Sequence, residues 1–415
     1  MRGANLAALR HRPLAAFLAG NLVSNCGTWV QNIALSVFAY RRTGGDTFWV
    51  GVMGFSQFAA VGILAPWSGR AADRMDRRRL SSVAAGVSAA LGGLLALLSG
   101  LDLASVPTAA VVALVAGVAT AFATPAMKAL VTGLVPADEV GRAMALESAS
   151  YNLARVIGPL VGAAVVAGLG LTWAFALNAL SFLGLVVGLR WARSPGPPRR
   201  APTGPVTLAS AVRLVRRQPI LVAAFAVVAG VSMASDAVTT LGPELCTDVL
   251  GRSDAFAGAL VGAFGFGAVS VVLATSPSLR TTPARLAARC LLMALGLAGL
   301  ATLSGTVAVL VALAVAGGGF LAANTEASTS IQMGVGDDDR GRVSALWAVA
   351  FLGVRPVASL VLGATARLAG VRVAAAVAIV PLALALLALR WAAARSVPAR
   401  PVPAPPARRR AERAG

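Results

Sequence analysis

Two arginines lie where this chain has least reason to hold a charge. Arg155 and Arg355 follow Arg142 and Arg342 by 13 residues each, and both fall inside long apolar runs. In a helix that separation is about 20 Å along the axis, too far for the side chain to reach back to the surface it came from. A guanidinium at such depth is costly and normally faces protein or water with a partner. Three uses are open to it: contact with an anion or acidic small molecule, service as the charge partner of a proton carrier, or a structural bond to helix carbonyls.

The carrier would be a carboxylate, because an acid inside the apolar runs can exchange a proton as its surroundings change. Few exist. Asp236 is the leading candidate, with Glu326 behind it; Glu326 and Glu147 stand near run ends and read first as surface charges. A third set is polar and uncharged. Asn21, Asn25, Thr28 and Asn32 recur at i, i+4, i+7 and i+11, one helix face, with Trp29 beside it. With Gln57 and Asn178 they describe either an amphipathic cavity wall or a set of hydrogen bonds between helices. The sequence holds no HExxH, no Ser/His pair within the apolar runs, no metal-ligand cluster and no nucleotide-binding loop, so neither an enzyme nor a cofactor is expected.

The elements that position these residues follow from composition. The chain has 415 residues, 57% hydrophobic and only 13% charged, which excludes a soluble chain of this size. A net charge of +20 would suggest nucleic acid in a soluble protein. That reading fails once the charges are placed. Cys290 to Thr325 is 36 residues without a charge, and Leu103 to Met127 another 25. Runs of that length cross a bilayer. Twelve spans are expected: near Phe17 to Tyr40, Phe48 to Gly69, Leu80 to Gly100, Val106 to Met127, Met144 to Gly168, and from the Gly168-Leu169-Gly170 break to Arg190. The second six lie near Ile220 to Leu241, Ala255 to Ser276, Leu286 to Ser304, Thr306 to Thr325, Val343 to Ala366 and Val371 to Ala392. The fold class is therefore an all-α membrane protein.

With both termini inside, 29 basic residues fall on the inner side against 5 outside, setting aside Arg155 and Arg355. That asymmetry predicts cytoplasmic termini in an inner membrane. The first span is too long and too polar for a cleaved leader. Three cysteines, an odd number, give no disulfide framework, and the single histidine, His11, reads as a bystander in a basic leader.

A proline-rich basic stretch divides the chain into 1–193, a linker 194–218, a second half 219–395 and a basic tail 396–415. The two halves are related. A shift of 200 residues places Gly141-Arg142 on Gly341-Arg342, Arg155 on Arg355 and Leu189-Arg190-Trp191-Ala192 on Leu389-Arg390-Trp391-Ala392, with no gap. Six spans separate the copies, so both enter the membrane in the same direction. This predicts two six-helix halves related by a parallel pseudo-twofold axis along the membrane normal.

The loop after span two reads Gly69-Arg-Ala-Ala-Asp73-Arg74-Met-Asp76-Arg77-Arg78-Arg79. It resembles the signature loop of the major facilitator superfamily, at the position that family places it. Gly158-Pro159-Leu-Val-Gly162 in span five is similar to the core of that family's antiporter motif. Asn21 to Gly27, Thr124 to Ala126 and Ser150 to Pro159 most resemble its enterobactin-exporter-like branch of efflux permeases. The resemblance covers all but the leader and tail. It implies alternating access by two rocking halves, proton-coupled efflux of a small amphipathic molecule, and a gating role for Gly69, Asp73, Arg74, Arg77, Arg78, Gly158, Pro159 and Gly162. It further implies that the basic loop latches the halves on the inner side.

Substrate contacts are then expected from Asn21, Asn25, Trp29, Asn32, Gln57, Arg155, Asn178 and Arg355. The arginine cluster is expected to meet Glu139, Asp338 or anionic phospholipid. The partners are a small molecule, protons and lipid, with no nucleic acid, and the protein is expected to be a monomer. A lipid-translocating or non-transporting scaffold of the same fold is the alternative.

Overall fold

In the computed structural model, residues 7–192, 208–274, 282–336 and 340–395 are described. They are helical throughout, with no strand among the described residues. Lipid offers no hydrogen bonds to a peptide group, so a spanning segment must satisfy its own backbone. Helix starts are written in the sequence. Asp46 accepts from the Phe48 N–H at 3.0 Å, Asp76 from Arg79 at 2.6 Å, Ser105 from Thr108 at 3.3 Å and Thr282 from Arg285 at 3.3 Å.

Spans one to six are Arg12–Arg42, Thr47–Arg74, Arg77–Gly100, Val106–Val131, Val140–Gly168 and Leu171–Trp191. A linker helix, Leu208–Arg216, precedes spans seven to ten at Pro219–Thr240, Ala257–Ala274, Pro283–Thr302 and Thr306–Met333. Span eleven is two pieces, Arg340–Leu352 and Arg355–Ala369, and so is span twelve, Val371–Val377 and Val380–Arg395. Eleven of the twelve are long and apolar enough to cross a membrane by hydropathy alone. Span one is the exception, because its asparagines and Gln31 dilute 31 otherwise spanning residues.

The breaks have a common cause. Pro356 and Pro381 lack an N–H and crowd the preceding turn, and each interruption comes just ahead of one. Span ten runs on to Met333, past Glu326, instead of stopping at Thr325 as its uncharged run suggested. The short hairpin at Gly170 is a true turn, with φ +89°, and Gly370, 200 residues on, repeats it with φ +86°. Both positions sit in the region that glycine tolerates best, so the repeat extends to backbone conformation.

Two seams join the halves: span two against span eleven, and span five against span eight. Both are lined by glycine. A Cβ on Gly51 would lie 2.4 Å from the Ser359 carbonyl oxygen, and one on Gly258 would lie 2.3 Å from that of Pro159. Gly158 and Gly162 point the other way, onto Trp29, Cys26 and Val30 of span one. The motif of span five thus packs within its half through its glycines and across the halves through the Pro159 carbonyl. Gly51→Val forces a side chain onto backbone and is expected to lower stability by about 1–3 kcal/mol. Thermal unfolding in detergent measures it; an unchanged midpoint would contradict the seam.

Candidate functional site

The two halves meet around a cavity lined by Trp29, Asn32 and Gln57 from the first half and Asp236, Arg355 and Ser359 from the second. Its free volume is about 20 Å³, room for a water but not for an amphipathic molecule.

At its base Arg355 donates from Nε at 2.7 Å and from Nη2 at 2.5 Å to Asp236 Oδ1, and Ser359 donates to Oδ2 at 3.2 Å. The ring of Phe58 lies 4.1 Å from the guanidinium centre. Asp236 is 1% exposed and Arg355 7%. The pair joins span seven to the second piece of span eleven. The break before Arg355 brings the guanidinium to the carboxylate, and Ser359, one turn on, also caps the Arg355 carbonyl at 3.1 Å.

Arg155 is placed differently. Its charge sits among rings, 5.7 Å from Trp29, 5.3 Å from Phe264 and 4.3 Å from Phe320, and its Nε has no hydrogen-bond partner among the described residues. The two arginines that the repeat equates are thus in unlike surroundings. Trp29 connects them, since it lines the cavity and faces Arg155.

Other candidates lie elsewhere. Asn178 is buried and donates to Gln31 Oε1 at 2.6 Å, an interhelical bond that ties span six to span one. Asn21 is buried in span one, Asn25 is half-buried, and neither lines the cavity. The wall that span one offers is Trp29, Asn32 and Ser36, a face turned slightly from the asparagine stripe. Glu326 pairs with Arg285 at 3.0 Å and lies 3.7 Å from Arg289, all within the second half and away from the cavity.

The bonds described for the basic loop stay within its own half. Arg77 donates to the Ala129 carbonyl at 3.2 Å, and Arg78 to those of Leu189 at 2.6 Å and Arg190 at 3.1 Å. These are C-terminal carbonyls of spans four and six, which have no intrahelical donor. Arg74 is exposed, Gly69 has open space around it, and the Asp73 side chain lies outside the described residues. Two expectations are corrected. Glu139 is taken by Arg10 and by His11, whose Nε2 lies 3.0 Å away, so the arginine cluster does not reach it and His11 is no bystander. Asp338, the linker residues 193–207 and the tail 396–415 lie outside the described residues.

At the end opposite this loop the halves are pinned together. Arg41 grips Asp254 at 2.6 and 2.5 Å, Tyr40 meets Thr247 at 2.7 Å, Thr47 donates to Glu244, and Arg367 lies 3.5 Å from Asp46. Burial pushes the Glu244 carboxyl up, the Thr47 hydroxyl and the Val371 N–H pull it back, and Asp248 and Asp46 add to the rise.

A model of the Major Facilitator Superfamily matches residues 17–354. The chain belongs to that superfamily. A staphyloferrin A transporter of Staphylococcus aureus is 24% identical over 153 residues, a match spanning 36% of this chain and 38% of that relative. Among solved structures, an inward-facing, occupied bacterial homolog of the human lysosomal transporter Spinster superposes with a TM-score of 0.72 at 14% identity, covering 93% of this chain and 97% of that one. An auto-inhibited POT family peptide transporter gives 0.75 at 12% identity, covering 94% and 99%. Both likenesses are of fold. The superfamily is one of transporters, and the match places this chain among them.

For this superfamily member, Arg355→Gln leaves Asp236 buried without a counter-ion and is expected to cost about 3–5 kcal/mol. Adding Asp236→Asn should restore most of it. A double-mutant cycle on unfolding free energy reads the coupling, and additive effects would contradict the pair. Glu244 has a raised pKa in the pinned end, so its contribution to closure is complete below the usual carboxylate range and is lost as pH rises through the raised value. Interspan distances at that end should lengthen with rising pH, and Glu244→Gln should abolish the change.

Proposed function

We propose that the protein is a proton-coupled exporter of small amphipathic molecules, working by alternating access of its two six-span halves. The observation that carries this reading is the shared cavity: Trp29, Asn32 and Gln57 come from one half and Asp236 and Arg355 from the other. A site built this way is exposed to each side in turn when the halves rock. The basic residues at the ends of the spans favour cytoplasmic termini and an inner-membrane location, with anionic phospholipid against the loops. The domain limits 1–193 and 219–395 then mark the two moving bodies, and the protein works as a monomer.

Asp236 carries the proton in this scheme. Protonation removes the charge that holds Arg355 and breaks the tie between spans seven and eleven. The basic loop acts in the opposite state. Arg77 and Arg78 exchange their carbonyl partners for the second half and, with Arg74, latch the cytoplasmic side while the pinned end opens, with Gly69 and Asp73 shaping the loop. Gly158 and Gly162 hold span five to span one within the first half, and Pro159 forms the pivot on which that half moves against span eight.

Everted membrane vesicles carrying a pH-sensitive dye test the reading. Amphipathic cargo should collapse a preset proton gradient in wild type and leave it standing in Asp236→Asn. Intact coupled transport in that variant removes Asp236 from the scheme. If no compound moves protons while fluorescent phospholipid crosses the bilayer, the lipid-translocating alternative takes its place.

A further inference from the structure

The centre of the molecule holds two guanidiniums and one carboxylate, and the carboxylate is engaged. Arg355 is bonded to Asp236, which also accepts from Ser359, whereas Arg155, only 9% exposed, has a buried Nε without a partner and no acid bonded to it among the described residues. The 200-residue repeat shows what is missing. It sets Pro159 opposite Ser359, so span five carries no hydroxyl where span eleven has the one that supports Asp236, and no carboxylate bonds Arg155 among the described residues. Three aromatic rings surround the Arg155 charge instead, and their quadrupoles offset only part of the cost of burying it.

The same region holds further unpartnered polar atoms. Ser150 Oγ on span five and Asn324 Oδ1 on span ten are buried without hydrogen bonds among the described residues. Each lies toward the basic end from the aromatic cage: Ser150 about 7.5 Å along span five from Arg155, and Asn324 one turn beyond Phe320 on span ten. Buried donors and acceptors in native proteins are nearly always paired. Here both sit on spans that carry the cage, whose aromatic surround continues through Trp29 to the cavity.

We propose that Arg155 is the docking point for a carboxylate on the transported molecule, whose apolar body lies against Trp29, Phe264 and Phe320. The cargo supplies the negative charge that the described residues around Arg155 do not, and its class is an amphipathic carboxylate entering from the basic end. The inference rests on the transport reading above and narrows it.

The test needs no knowledge of the natural cargo. In purified, unliganded protein, Arg155→Gln removes an uncompensated charge and should leave the unfolding midpoint unchanged or raised, whereas Arg355→Gln lowers it. A carboxylate panel of benzoate, naphthoate and naphthylacetate should include a member that raises the wild-type midpoint by about 3 °C at roughly 100-fold its Kd, while its amide does not. Arg155→Gln should lose that response. The proposal is overturned if Arg155→Gln destabilises as Arg355→Gln does, if no acid in the panel shifts wild type, or if the amides match the acids. Everted vesicles separate this failure from the wider one. If amides or amines are pumped and acids are not, with Arg155→Gln equal to wild type, transport stands and the carboxylate site falls. If no compound is pumped, the transport reading falls, and the unliganded midpoints still judge whether Arg155 is a structural arginine.

Discussion

The ion pair between Asp236 and Arg355 is the constraint on which the centre of the molecule depends. Both groups are nearly inaccessible, and in a low-dielectric interior each is costly alone. The pair therefore fixes span seven against the lower-numbered end of the second piece of span eleven, and the Ser232 hydroxyl, which donates to the Phe351 carbonyl, adds a second tie just before the break. Span eleven in turn carries the Ser359 carbonyl that abuts Gly51. Through that contact the charge pair is in mechanical contact with the seam between the halves. A change of protonation at one carboxylate can thus reach the moving surface without any long relay.

The pinned end and the basic end divide the remaining work. Ion pairs and hydroxyl bonds between halves lie at the former, among Arg41, Asp254, Thr47 and Glu244. At the latter, Arg77 and Arg78 bind carbonyls of their own half. On span four, Thr120 and Lys128 are exposed and Thr124 half-buried, and these three recur every four residues toward the basic end. Lys128 also lies 5.9 Å from the Trp347 ring of the second half, so polar ties between the halves are denser at the pinned end than among the residues described at the basic end.

Much of this was legible in the sequence. Span number, the parallel repeat and the depth of both arginines follow from the placement of charge in apolar runs, because those properties depend on local composition and on bilayer thickness. Trp29, Asn32, Gln57, Asp236 and Arg355 were also legible as polar interruptions. What was not legible is partnership. Nothing local in the sequence states that Asp236 bonds Arg355, 119 residues away, or that Arg155 meets Phe264 and Phe320 in place of an acid. The asparagine stripe of span one misled in a specific way. Helix periodicity identifies a polar face but not which neighbour it meets, and that face is divided between the cavity, reached by Asn32, and the packed interior that buries Asn21. Asn178 likewise reads as cavity wall until Gln31, which is part of no motif, is seen to hold it.

The central claim is that the charge state of Asp236 sets which side of the protein is open. Spin labels report it directly. One pair, Leu103→Cys with Ser253→Cys, spans the halves at the pinned end; a second, Ser148→Cys with Ser344→Cys, spans them at the basic end. Pulsed electron paramagnetic resonance in lipid nanodiscs, with Asp236 either native or changed to Asn, should show the two distance distributions shifting in opposite directions. Distributions that are unchanged by the substitution, or that shift together, would contradict the account.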